Sequence, residues 1–214
     1  QFRRCLLIFI YVLLWSAYIL DNSVIIIKNK VTLLSEDKMN TEEKIIKETI
    51  SLIDHQGYQS LSLRKLTNSL GLTTGAFYKH FSSKEVLFQR TAQQLSQDFV
   101  DSLTFNSKTS PESQLLQIAD KLCTEFKNHP QRMDFLFFNP AIKHVYTEKD
   151  NHQFQLLNKV NELIKKLSST DNQDTLFIQI WSFIQGYVYL INNSITQYDD
   201  ILVKHTLHQL LGGK

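Results

Sequence analysis

From residue 40 onward the apolar side chains recur every three or four positions, the spacing of one face of an α-helix, and no stretch alternates as a strand would. Ile45, Ile46, Thr49, Ile50 and Ile53 make a first stripe. Asn40 or Thr41 can cap it, Glu42 and Glu43 suit its first turn, and Gly57 ends it. A short second helix is predicted from Leu63 to Leu70, capped by Ser62, with Leu63, Leu66 and Leu70 inward and Gly71 as its stop. Thr73 can cap a third, Thr74 to His80. Ser82-Ser83-Lys84-Glu85 has the form of a capping box, and the longer helix after it carries Val86, Leu87, Thr91, Leu95, Phe99 and Leu103.

Farther along, Ser110-Pro111-Glu112 opens a helix with proline in its first turn; its stripe is Leu115, Leu116, Ile118, Ala119, Leu122 and Phe126, and Pro130 breaks it. The segment Met133 to Pro140 is dense in aromatics. Helices are expected at about 150–167, at about 171–193 with Thr170-x-x-Gln173 as its cap, and at about 197–211, stopped by Gly212-Gly213. The helix over 171–193 is apolar nearly all round, which implies burial on more than one side. The fold class is therefore all-α.

Residues 1–38 have a different character. An apolar run from Cys5 to Leu20 follows Arg3 and Arg4, and 23 of the 38 residues are apolar. A signal peptide would need a small-residue cleavage site after Leu20, and none follows. As a membrane anchor, 16 residues at the helical rise reach about 24 Å, short of a core about 30 Å thick. The first Met is Met39, and Glu36-Asp37 can be encoded by a purine-rich ribosome-binding sequence just before it. The expectation is that residues 1–38 are upstream translation and that the protein starts at Met39. The competing expectation is an anchor over residues 5–20. The remainder divides into two units, 39–86 and 87–214.

Charge sharpens this division. The formal net charge of +2 is uninformative as a total, but residues 1–38 hold five of the 23 basic and three of the 21 acidic residues. Residues 39–90 hold seven basic and five acidic, and residues 91–214 eleven and thirteen. The sign of the asymmetry favours a polyanion at the N-terminal end. Two cysteines and few glycines and prolines exclude a disulfide scaffold and a low-complexity chain.

Two short helices joined by Gly71-Leu72-Thr73 make a helix-turn-helix, whose second helix enters the major groove by its N-terminal end. Thr74 offers a hydroxyl and a methyl to base edges, and Gly75 and Ala76 keep the helix thin. Tyr78, Lys79 and His80 can reach phosphates, and Lys84 stands at a helix N-terminus that favours an anion. Phe77 and Phe81 are core.

The run from Gly71 to Phe88, with its turn glycine, Tyr78-x-His80-Phe81, Lys84 and Leu87, closely resembles the DNA-binding signature of TetR-type transcriptional regulators. Gly57 and the segment Ser62 to Leu66 also fit, whereas Leu66-Thr67 stands where the family usually has Ile-Ala. The resemblance covers about 50 residues; beyond about residue 95 it is only that both are helical. It implies a homodimer with two heads on a palindromic double-stranded DNA operator, repression relieved by a small molecule, a four-helix dimer seam from the last two helices, and no cofactor. Carried over, the base-reading candidates are Thr73, Thr74, Gly75, Ala76 and Lys79, the phosphate candidates Ser62, Tyr78, His80 and Lys84, and Arg64 touches backbone or an adjacent groove. Ser62 as a plain cap, His80 as a packing residue and Lys79 as a solvated lysine remain open.

An apolar pocket for an apolar or aromatic effector would draw on Phe126, Met133, Phe137, Phe138, Phe154, Trp181, Gln185 and Tyr187, each also readable as ordinary core. Gly186 would let a helix approach closely. Other chemistry is faint. There is no G-x-G-x-x-G, P-loop or H-E-x-x-H. Ser62-x-x-Lys65 lacks companion motifs, His205 and His208 lack a third metal ligand, and Cys123 reads as a small buried hydrophobe. The expected protein is a cytoplasmic regulator and not an enzyme. The alternatives are the same regulator tethered by residues 5–20, or an unrelated helical enzyme or adaptor.

Overall fold

The computed structural model describes residues 40–106, 108–142, 154–167 and 173–211. Expectations for the leader, the Met39 start, the start of the helix expected at 150, the Thr170 cap and the Gly212-Gly213 stop lie outside these residues. Residues 45–214 form one compact unit; of the unit before it, residues 1–44, only 40–44 are described.

Among the described residues there are nine α-helices and no strand. They are α1 Thr41–Gln56, α2 Leu63–Ser69, α3 Thr74–Tyr78, α4 Lys84–Asp101, α5 Pro111–Asn128, α6 Pro130–Phe138, α7 Gln155–Leu167, α8 Gln173–Asn192 and α9 Asp200–Leu210. A single 3-10 turn, Pro140–Ile142, follows α6.

Local chemistry sets most of the boundaries. At the start of α1 the Asn40 side chain accepts from the Glu43 N–H at 2.9 Å and the Glu43 carboxylate accepts from the Asn40 N–H at 3.0 Å. This is a reciprocal cap that satisfies two otherwise orphaned donors. Helix α2 closes on Gly71, whose φ of +64° is cheap only for glycine. The Leu72 N–H then reaches back to the Thr67 carbonyl at 2.8 Å and the Gly71 N–H to Asn68 at 3.1 Å. Helix α8 ends with the same pair of reversed bonds, but there the left-handed position is held by Ser194, at φ +56°.

Several boundaries differ from those the pattern predicts. The cap of α4 is Ser83, one residue later than the S-x-x-E form implies; its hydroxyl accepts from the Val86 N–H at 3.3 Å. The Ser83 hydroxyl also holds the Glu85 carboxyl below its ordinary range. Pro130 does end α5, but as the first residue of α6: His129 is at once the last cap of one helix and the first of the next. The final helix begins at Asp200, because the Asp199 carboxylate accepts from the N–H groups of Ile201 and Leu202. Helix α7 starts under a tertiary cap, the buried Ser96 hydroxyl of α4 accepting from the Leu156 N–H at 2.8 Å.

Most of the apolar interior falls into a small cluster and a large one. Ile45, Ile46, Leu66, Phe77, Phe81 and Leu87 make the first, the core of the head. The second runs from Phe88, Ala92 and Leu95 through the inward faces of α5, α6 and α7 to Leu176, Ile180 and Trp181 of α8. Within α4, Leu87 packs into the small cluster and its neighbour Phe88 into the large one.

Candidate nucleic-acid interface

The head presents a short helix on a rigid base. Phe77 and Phe81 are buried with their rings 5.5 Å apart, so α3 is pinned from beneath. Its other side points outward. Thr73, Thr74 and Gly75 are exposed and Ala76 is half-buried. The Thr73 hydroxyl is engaged in capping, accepting from the Ala76 N–H at 3.1 Å, which leaves Thr74 as the free hydroxyl at the helix start. A Cβ on Gly75 would meet only Thr73 Oγ1 at 3.9 Å, so this surface is open.

Helix α3 is shorter than expected. It ends at Tyr78, with Lys79 as its cap residue and His80 in the turn beyond. Tyr78, Lys79 and His80 are all exposed, which does not match a packing role for His80. Tyr78 rests the edge of its ring on Phe77, centroids 5.3 Å apart, and is 54% exposed, so a fixed ring carries its hydroxyl into solvent. Arg64 stands exposed on α2.

Two candidates differ from expectation. Ser62 occupies the cap position of α2 but makes no capping hydrogen bond, so the cap reading is not realised. The Lys84 ammonium donates to the Leu61 carbonyl at 2.6 Å and lies 5.1 Å from the Phe88 ring centroid. It ties the segment before α2 to α4, and any anion it meets shares it with that carbonyl.

In the body, Phe126, Met133, Phe137, Phe154 and Trp181 come together in the large core. Phe126 and Phe137 are 5.2 Å apart, and Phe137 and Trp181 stack at 5.5 Å. Phe177, not among the pocket candidates, also stacks on Trp181, at 5.9 Å. Gln185 lies one turn along α8 from Trp181 and is half-buried. Phe138 is not with them, being 38% exposed. Tyr187 belongs to a separate small cluster with Ala119 and Val203. Its hydroxyl donates to the Gln197 carbonyl at 3.0 Å and accepts from the Asp199 N–H at 2.7 Å, so it ties down the turn between α8 and α9.

Helices α8 and α9 leave an apolar surface uncovered. Ile178, Tyr189 and Leu190 on α8, Ile195 and Tyr198 in the turn, and Ile201 and Leu202 on α9 are all exposed; Ile178 is 62% and Ile201 73% exposed. Gly186 lies on this side, with nothing within 4 Å of where a Cβ would stand. Cys123 is buried and its thiol is pushed up to about 12, by burial first and by Asp120 second. His208 lies 3.9 Å from Glu112, and among the described residues no three potential metal ligands gather.

The sequence profile described as bacterial regulatory proteins, tetR family, matches residues 45–91, the head and the first turns of α4. Over 46 residues the chain is 39% identical to the uncharacterized HTH-type transcriptional regulator YerO of Bacillus subtilis. That match spans 22% of this chain and 16% of the relative. Three solved structures show the fold over nearly the whole described chain. A TetR transcriptional regulator from Streptomyces coelicolor superposes with a TM-score of 0.61 at 14% identity, covering 81% of this chain and 96% of the other. The multidrug binding protein EbrR, complexed with ethidium, gives 0.62 at 16% identity over 80% and 98%. BioQ with its double-stranded DNA operator gives 0.60 at 14% identity over 82% and 100%. The head thus matches the profile of the tetR family of bacterial regulatory proteins, and the nine helices among the described residues share the fold of these solved structures.

Proposed function

We propose that this protein is a DNA-binding transcriptional regulator that grips a palindromic operator as a homodimer and represses until a small apolar or aromatic effector binds its body. The observation that carries the proposal is the exposed start of α3, Thr73 to Gly75, held rigidly by the buried rings of Phe77 and Phe81. Direct readout needs a thin, fixed helix end of this kind. Thr74, Gly75, Ala76 and Lys79 read bases. Ser62, Tyr78, His80 and Lys84 hold phosphates, and Arg64 holds backbone beside them. The DNA operator seen with BioQ supports this assignment by fold alone.

The uncovered apolar surface of α8 and α9 supports the homodimer. Patches of this kind on soluble proteins mark interfaces, and Gly186 leaves room for a second helix there. The stacked rings Phe137, Trp181 and Phe177, with Phe126, Met133 and Phe154 of the same large core, are the proposed effector region. EbrR, whose structure holds ethidium, is a precedent in the same fold for an aromatic ligand. The protein acts in the cytoplasm and catalyses nothing. Among the described residues no helix is long and apolar enough to cross a membrane.

A gel-shift series on DNA flanking the protein's own gene tests this proposal. The expected result is retardation of one fragment, resistant to competitor DNA and saturating at two chains per duplex. Sequence-independent binding, or none, would sink it.

A further inference from the structure

Helix α4 carries the chain from head to body, and a single helix leaves rotation about its own axis unopposed. A second attachment lies off that axis. Arg132 of α6 donates from Nε to Asp54 Oδ1 of α1 at 2.9 Å, and its Nη2 pairs with the other carboxylate oxygen. The two side chains are only 26% and 22% exposed, so solvent screens the pair weakly. The hydrogen bond to Asp54 first, against the lowering effect of burial, and the nearby charges of Glu125 of α5 and Asp98 of α4 push the Arg132 pKa above its ordinary value.

The turn after α1 seats against the same helix. A Cβ on Gly57 would lie 2.8 Å from the Gln131 side-chain oxygen, and Gln59 donates to the Asp134 carboxylate at 3.3 Å. The Tyr58 ring packs on both Phe88 and Phe135, at 6.3 and 5.8 Å, and those two rings meet each other at 5.3 Å. Gln131, Arg132 and Phe135 share one side of α6 by helical spacing, and Met133 and Phe137 share the other. That other side packs in the large core, where Phe137 joins the ring stack.

We propose that the Arg132–Asp54 pair, backed by Tyr58 against Phe135, is a latch that fixes the orientation of the head on the body and so the separation of the two heads on one duplex. Arg132 and Asp54 are positioning residues: neither touches DNA, and each acts through the placement of α3. This rests on the dimeric DNA-binding function proposed above. Two heads held at the correct separation bind one duplex at high effective concentration, and loosening either hinge lowers that concentration without altering the head itself.

Fluorescence anisotropy tests the latch with two duplexes: the full site footprinted by the wild-type protein, and the same duplex with one half-site scrambled. Arg132→Met and Asp54→Asn are each expected to weaken binding to the full site on the order of tenfold and to leave the half-site unchanged. The double variant should be no weaker than the worse single one, and Arg132→Lys should recover part of the loss. A merely structural role would lower the melting temperature and weaken both duplexes together, leaving their ratio at the wild-type value. That unchanged ratio, in Arg132→Met or in the near-isosteric Asp54→Asn, overturns the latch. A wild-type protein that footprints no site overturns the dimeric DNA-binding function, and the latch with it.

Discussion

The molecule exposes two surfaces whose chemistry is opposite. On α3 and its flanking turns the outward residues are short, polar or basic: Thr73, Thr74, Gly75, Tyr78, Lys79 and His80. On α8 and α9 they are Ile178, Tyr189, Leu190, Ile201 and Leu202. Both are held by residues buried just beneath, Phe77 under the first and Ile180, Val188 and Val203 under the second. Exposure alone therefore says little. A thin polar helix end is at ease in water and gains from a polyanion, whereas bare isoleucine is at ease only against another apolar surface. The proposed function draws on this contrast, giving one surface to DNA and the other to a second copy of the chain.

Breaking the apolar surface should have the largest effect. Ile178→Asp with Ile201→Asp should convert the dimer to monomer in sedimentation and lower operator affinity by about 10²–10⁴, the gain lost when two heads are no longer linked. A dimer that survives both aspartates would move the interface elsewhere. On the polar surface, Thr74→Ala should cost about 1–3 kcal/mol at one or two base pairs in a binding-site selection. Tyr78→Phe and Lys84→Ala should instead weaken binding to all sequences, and Lys84→Ala should lower the salt slope by about one. Lys84→Ala also removes the bond to Leu61, so its melting temperature should fall where that of Tyr78→Phe does not.

Smaller effects probe what supports each surface. Ser83→Ala should destabilise the protein by about 1 kcal/mol through its lost cap, as read by urea denaturation. Ser194→Gly should stabilise it by up to about 1 kcal/mol, because a left-handed backbone strains serine and not glycine. Cys123, with its thiol at about 12, should resist iodoacetamide at pH 8 in the folded protein and react once urea unfolds it.

The head was nearly all legible in the sequence because its determinants are local. Thr73 as a cap, Gly57 and Gly71 as stops, and the inward Ile45, Leu66 and Phe77 each depend on neighbours within four residues. What escaped depends on distant ones. Ser96 caps a helix 60 positions away, and Arg132 finds Asp54 across 78. Phe88 had the same hydrophobicity as Leu87 beside it, and only the packed body tells why both are buried. Tyr187 read as a ring for a pocket because its hydroxyl's partners, Gln197 and Asp199, lie past a turn that no periodicity reveals. Pro130 read as a break, although a proline that stops one helix equally starts the next.

The adjacency of Leu87 and Phe88 on α4 has a consequence for how the protein melts. One turn of one helix is shared by two interiors, and fraying that turn exposes both. The head, with only six buried apolar residues in its own cluster, therefore has little independent stability. Heat or denaturant should remove head and body in one cooperative transition, with circular dichroism and Trp181 fluorescence tracing the same curve.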